Sequence, residues 1–137
     1  MDSLKRESLV NSILELGFSN NGSKTIAVTL DEFFEGNDDI GSLACNLDPH
    51  PGMESFYYYL TRFANDNEVE VYVEIYEMDE DDDEIWPYSE RVYLIGDIER
   101  DAIEGLLADV LASEIEDLGD IEINGQVFSN VYALWWD

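Results

Sequence analysis

Residues 68–76 alternate strictly along the chain. Val69, Val71, Val73 and Ile75 fall on one side of an extended segment, and Glu68, Glu70, Tyr72, Glu74 and Tyr76 on the other. Successive side chains of a β-strand point to opposite faces, so this segment predicts a strand with one face in a core and the other open to water or a partner. All-parallel sheets are covered on both faces and read as unbroken apolar runs. A sheet that keeps a carboxylate-rich face is of the antiparallel kind.

Helices are needed to cover the apolar face, and the chain supplies them. Residues 3–16 place Leu9, Val10, Ile13 and Leu14 at helical spacing, with Gly17 as a stop. After a turn-rich stretch, 18–24, residues 25–28 can form a short strand. Thr29-Leu30-Asp31-Glu32 is a capping-box sequence, opening a short helix that carries Phe33 and Phe34 and ends at Gly36-Asn37. Residues 38–46 read as loop, with a brief strand at 43–45, and 48–52 as turn. A second helix is predicted over 53–65, with Phe56, Leu60, Phe63 and Ala64 on one face. Residues 91–95 read as the strand paired with 68–76. Asp97 then reads as the cap of the longest helix, 98–118, with Ile103, Leu106, Leu107, Val110 and Leu111 inward and Gly119 ending it. Residues 121–123, the Asn124-Gly125 turn and 127–128 predict a hairpin, and 131–136 a last apolar strand. The expected fold is α+β, a single domain over 1–137, with a mostly antiparallel sheet packed against two or three helices.

The charge narrows the partners. Six Lys+Arg against 33 Asp+Glu give −27, and residues 1–30 sum to zero, so residues 31–137 carry all of it. Such a field repels nucleic acid and anionic membranes and attracts cations and basic proteins at high association rates. A surface charged for solubility alone would be acidic throughout, whereas the neutral first 30 residues point to a patch. With 45% apolar residues the chain folds rather than remaining an acidic tail. Cys45 is the only cysteine, which excludes an internal disulfide or a cysteine zinc cluster. No apolar run is long enough to span a membrane, and Met1 to Val10 lack a signal peptide's order, so a cytoplasmic location is expected.

Catalytic chemistry finds little footing. A nucleophile–base couple would have to join Cys45 to His50, the single histidine, in no recognisable signature. The plainer expectation is a buried cysteine and a solvent-exposed turn histidine. Paired carboxylates are too numerous to single out. There is no phosphate-cradling glycine motif, no cofactor is expected, and the chain does not read as an enzyme. A calcium-loop pattern does occur: Asp79, Asp81, Asp83 and Glu90 occupy positions 1, 3, 5 and 12. Position 6, however, is Glu84 where that loop requires glycine, and position 9 is Pro87. Residues 77–84 hold seven acids in eight, a density that matches such a pattern by accident. The aromatic runs Tyr57-Tyr58-Tyr59 and Trp135-Trp136 must each split between faces, leaving some rings exposed as anchors for a partner.

Two stretches carry a resemblance: Thr29 through Leu47, with its block Phe33-Phe34-Glu35-Gly36-Asn37-Asp38, Gly41-Ser42 and Asn46-Leu47, and later Trp86 through Tyr93. Over about residues 25–112 the chain resembles small acidic single-domain bacterial proteins of the kind found as immunity partners in toxin–immunity systems, such as polymorphic toxin and contact-dependent inhibition systems. The resemblance transfers no functional residue. It implies an inhibitor whose carboxylates occupy the phosphate-binding surface of a basic toxin, a nuclease being the main case.

The expected partner surface is therefore Glu68, Glu70, Tyr72, Glu74 and Tyr76 with the loop residues Asp79, Asp81, Asp82, Asp83 and Glu84. The expected partner is a basic protein, and the chain a monomer or homodimer. Two other readings stand beside this one: a nucleic-acid mimic or anti-restriction protein, and a cation-binding regulatory module built on residues 79–90.

Overall fold

The computed structural model describes residues 1–136. The chain runs α1 (Ser3–Glu15), β1 (Ala27–Thr29), α2 (Leu30–Phe34), α3 (Met53–Asn67), β2 (Glu70–Glu74), β3 (Arg91–Ile95), α4 (Arg100–Asp109), β4 (Glu114–Ile123) and β5 (Gln126–Trp135). The strands form one antiparallel sheet in the order β1-β2-β3-β5-β4. With the four helices this is a small α+β domain with an antiparallel sheet, the expected class. The core between helices and sheet closes on Ile13, Phe33, Phe56, Leu60, Val73, Trp86, Val92, Leu94, Ile103 and Leu134. Burial of each such side chain stabilises the fold by about 1.5–3 kcal/mol.

Several local predictions hold in atomic detail. Thr29 caps α2 with a full capping box: its hydroxyl accepts from the Glu32 amide, and the Glu32 carboxylate accepts from the Thr29 amide. The Asn124-Gly125 turn joins β4 to β5, with both residues at positive φ, as a two-residue hairpin of the primed type demands. The 43–45 strand is reduced to one bridge, Leu43 to Ser89. The 68–76 strand is shortened, because Glu68 sits at φ 54° as the left-handed stop of α3 rather than in the sheet.

The predicted 98–118 helix is corrected. Glu99, not Asp97, stands at its N-terminus, and the helix ends at Asp109. Leu111, expected inward, takes φ 56° just past the helix end and is 51% exposed. The Ala112 amide bonds back to the Leu107 carbonyl, a helix-terminating hydrogen bond. Residues 114–123 are then strand, and Gly119 is no helix stop. It holds φ 64° at a register shift in β4, and Asn130, at φ 56°, accompanies a matching shift in β5.

These bulges coil the β4–β5 hairpin so that its far half turns back over the sheet's second face. Ile121, Ile123 and Phe128 settle there against Ala27, Tyr72, Tyr93, Ile95 and Val131 in a second apolar cluster. The tip reaches the opposite edge, where Asn124 bonds both backbone groups of Ala27 and its amide bonds the Thr25 carbonyl. The middle of the face expected to lie open to water or a partner, at Tyr72 and Glu74, is therefore covered, while Glu68, Glu70 and Tyr76 stay exposed.

Candidate functional site

The acidic run is the tip of the β2–β3 hairpin. Backbone pairing continues beyond β2, with the Tyr76 amide bonding the Tyr88 carbonyl at 2.8 Å and Glu77 bridging Tyr88, so residues 78–87 leave the sheet and return to it. Beneath this tip lies Arg6 of α1, 5% exposed. Its guanidinium donates to three loop carbonyls: Asp79 at 2.7 Å, Asp82 at 2.6 Å and Ile85 at 2.7 Å. The cation is satisfied by peptide oxygens rather than by carboxylates, and the acidic side chains turn outward. Asp79, Glu80, Asp81, Asp83 and Glu84 are exposed and Asp82 is half-buried. The Asp79 and Asp82 carboxylates each accept an amide two residues on, from Asp81 and Glu84, which stiffens the loop further. Asn20 completes the mounting by exchanging two hydrogen bonds with the Met78 backbone.

Apolar groups border the loop. Tyr76 is 53% exposed, with its ring 5.9 Å from that of half-buried Tyr88, and Ile85 is exposed at the loop's other end. A hollow of about 460 Å³ opens beside the loop, its lining including Leu14, Phe18 and Met78 together with Asp79, Glu80 and Asp81. This combination can receive basic side chains and their aliphatic stems.

The residues predicted for a partner surface divide into three groups. Tyr76, Asp79, Asp81, Asp82, Asp83 and Glu84 stay together around the hairpin tip. Glu68 and Glu70 are exposed but lie at the other end of β2. Tyr72 and Glu74 are half-buried, Tyr72 beneath the β4–β5 hairpin, where it packs on Phe128 with ring centroids 6.1 Å apart. The Glu74 side chain is 14% exposed. It accepts a hydrogen bond from the Tyr93 hydroxyl and lies 3.4 Å from Arg91 Nε, within ion-pair range. Arg91 in turn stacks over Trp135 at 3.5 Å. Burial holds the Glu74 carboxyl above its ordinary value of 4.5, against the opposing pull of Tyr93 and Arg91. The same burial raises the Tyr93 hydroxyl, with Glu74's charge adding to the shift. Glu74 is thus held against Tyr93 and Arg91 of β3 and is withdrawn from the proposed contact surface.

The calcium pattern is not assembled: among the described residues no three His, Cys, Asp or Glu side chains gather as a metal site. Asp79 is committed to the loop's own turn, and Glu90 accepts from the Tyr88 hydroxyl at 3.4 Å. The expectation for Cys45 and His50 is reversed. Cys45 is exposed, with its sulfur 3.6 Å from the Tyr88 hydroxyl. His50 is half-buried with both ring nitrogens engaged. Nδ1 accepts from the Gly52 amide at 2.9 Å, which leaves Nε2 to carry the proton and donate to the Leu43 carbonyl at 2.8 Å. Cys45 and His50 are therefore engaged with different partners and not with each other. Of the aromatic runs, Tyr57 and Tyr58 are exposed, while Trp136 is buried and donates to the Val110 carbonyl. Among the described residues no helix is long and apolar enough to cross a membrane.

Arg6 is the residue that sequence reasoning missed, although a signal was present. Residues 6, 9, 10 and 13 form the buried stripe of α1, so the arginine occupies a core position of that helix, while Leu14 turns out to solvent. An arginine on an apolar stripe marks a buried cation in search of acceptors.

What these features define is a one-domain α+β protein that displays a mounted acidic hairpin tip. The chain belongs to the YfbO family: residues 4–133 match the family described as "Uncharacterized protein YfbO family". It is similar to "Uncharacterized protein YfbO" of Escherichia coli (strain K12), with 27% identity over 119 residues, covering 80% of this chain and 81% of the relative. No solved structure matches the chain.

Proposed function

We propose that the domain is an inhibitor of the immunity type, which binds a basic toxin, in the first instance a nuclease, by setting the acidic tip of the β2–β3 hairpin into its cationic cleft. The observation that carries this reading is Arg6 beneath the tip. Seven acids in residues 77–84 repel one another, and left alone such a segment stays disordered. Here a buried cation is spent on holding their backbone while the carboxylates face out. Fixing the loop in advance lowers the ordering cost of binding, and concentrated charge steers a basic partner into fast encounter. A surface made acidic only for solubility has no use for such a mount. The outward ring of Tyr76 and the side chain of Ile85 supply apolar anchors that select among basic proteins.

The test is affinity capture of the partner from the source organism, followed by association kinetics with the purified partner. Replacing Asp81, Asp83 and Glu84 together by Lys should slow association by on the order of tenfold or more and flatten its salt dependence. The same charge change on β4, at Glu116, Asp120 and Glu122, should do much less. Equal slowing by both triple variants would show that net charge alone matters and would remove the hairpin tip as the site. Capture of a DNA-binding protein that loses its DNA to this chain would replace inhibition of a toxin by nucleic-acid mimicry.

A further inference from the structure

A second feature suited to a basic partner lies between α2 and α3. Phe34, Met53 and Tyr57 line a pocket of about 310 Å³, at the lower limit of ligand-site volumes and suited to a single side chain. The Phe34 and Tyr57 rings meet at a tilt, with centroids 5.8 Å apart, forming an aromatic wall. Carboxylates of Asp31, Glu35 and Glu54 edge the opening. Asp31 accepts the Tyr57 hydroxyl at 2.5 Å, which fixes that ring in place, and Lys5 engages Glu35 at 2.7 Å. Among the described residues no cation lies within ion-pair range of Asp31 or Glu54.

An apolar aromatic interior under an acidic rim is complementary to a group that is flat, cationic and carried on an aliphatic stem. We infer that this pocket seats an arginine side chain of the basic partner, its guanidinium against the Tyr57 ring and the Asp31 and Glu54 carboxylates. Guanidinium is weakly hydrated and stacks on aromatic faces, so it gives up water for this setting more readily than an ammonium does. The inference rests on the reading that the partner is basic, but its location is separate from the hairpin tip. Both acidic features adjoin the first turn of α1, where Lys5 pairs with Glu35 and the adjacent Arg6 bonds the loop.

The experiment is an NMR titration of the whole chain with N-acetyl-arginine methylamide, following the Met53 methyl and the Tyr57 ring. The norleucine analogue serves as the uncharged control. The arginine probe should shift both signals, and its affinity should fall by on the order of tenfold in Glu54→Gln and in Tyr57→Leu. The Glu54 variant carries the test alone should the Tyr57 variant unfold. No shift, or an equal response to the norleucine probe, overturns the pocket. With the captured partner, Glu54→Lys should speed dissociation while leaving the tip's charge intact. Wild-type dissociation in that variant overturns the partner contact even where the Asp81, Asp83 and Glu84 substitutions still slow association, so the two readings fail separately.

Discussion

Asn124 and Ala27, 97 residues apart, exchange two hydrogen bonds of 2.9 Å, the Asn124 side-chain amide donating to the Ala27 carbonyl and its oxygen accepting from the Ala27 amide. A single side chain thus takes the place of a neighbouring strand at the edge of β1 and locks the coiled hairpin over the second core. Ala27 is 1% exposed, so no water stands ready to replace those bonds.

Asn124→Gly isolates this lock, because glycine keeps the positive φ of the turn and removes only the amide. The variant should lose about 2 kcal/mol or more of stability, the cost of leaving a buried donor and acceptor unmade. Urea denaturation measures it. Hydrogen exchange should show faster opening of residues 121–131 than of β2 and β3. Uniform exchange across the sheet would mean that the tip does not act as a lock.

How much of this was legible in the sequence depends on the segment. The capping box at Thr29 and the Asn124-Gly125 turn are local chemistry, and local chemistry decided them. The alternation in 68–76 located β2 correctly but misled about its second face. The corrective signal lay in the partner strands: Val92-Tyr93-Leu94-Ile95 and Val131-Tyr132-Ala133-Leu134 are apolar at both parities, the mark of strands covered on two sides. The 98–118 misreading arose because Leu106, Leu107, Val110 and Leu111 continue a helical period past the true end. Only the long-range pairing of β4 with β5 rewards the break at Leu111, and no local window contains it. The candidate site was half legible: its carboxylates were evident, while the cation that organises them sits 73 residues or more away in sequence.

The block that carried the family resemblance proves to be structural. Asn37, buried, bonds the Phe33 carbonyl and the Ser42 hydroxyl. The Asp39 carboxylate accepts the Gly41 amide at 3.0 Å and the Trp86 amide at 3.1 Å, tying this loop to the segment that leads into β3. Asp39→Ala should therefore cost about 2 kcal/mol of stability, the range for bonds to a charged acceptor. It should leave the rate of partner association unchanged where the protein remains folded. A loss of association without a loss of stability would move this block into the binding surface.

Glu74 gives a pH dependence of defined sign. Its carboxyl is held above the ordinary 4.5 in the folded chain, chiefly by burial, so the folded state takes up a proton more readily than the unfolded state does. That uptake favours folding as pH falls through the interval just above 4.5, and the stabilisation is lost as pH rises beyond the folded-state value. Gln at this position cannot titrate. The stability of the wild type relative to Glu74→Gln should therefore increase as pH is lowered from 7 toward 4.5, measured by urea denaturation of both proteins at each pH. Taking the difference cancels the general repulsion among the other carboxylates. A difference that is flat, or that slopes the other way, would show that Glu74 is not desolvated in the folded chain.

Arg6 joins stability to function, and its substitution should separate them. Arg6→Met preserves an apolar stem on the α1 stripe but removes the donors to the Asp79, Asp82 and Ile85 carbonyls. Bonds from a charged donor are worth about 1.5–3 kcal/mol each and do not sum independently, so a loss of about 3 kcal/mol is expected. Arg6→Lys should recover part of it, since an ammonium carries the charge but not the planar fork that reaches three acceptors. The loop should loosen in both variants, read as faster amide exchange over residues 79–85 and as new proteolytic cleavage there. The net charge of the protein becomes more negative in Arg6→Met, so pure charge attraction predicts an association rate with a basic partner at least as fast as wild type. A mounted loop predicts weaker overall affinity, because the acids must be ordered at the moment of binding. Tighter binding by Arg6→Met would mean that the arrangement of the carboxylates is immaterial and only their number counts.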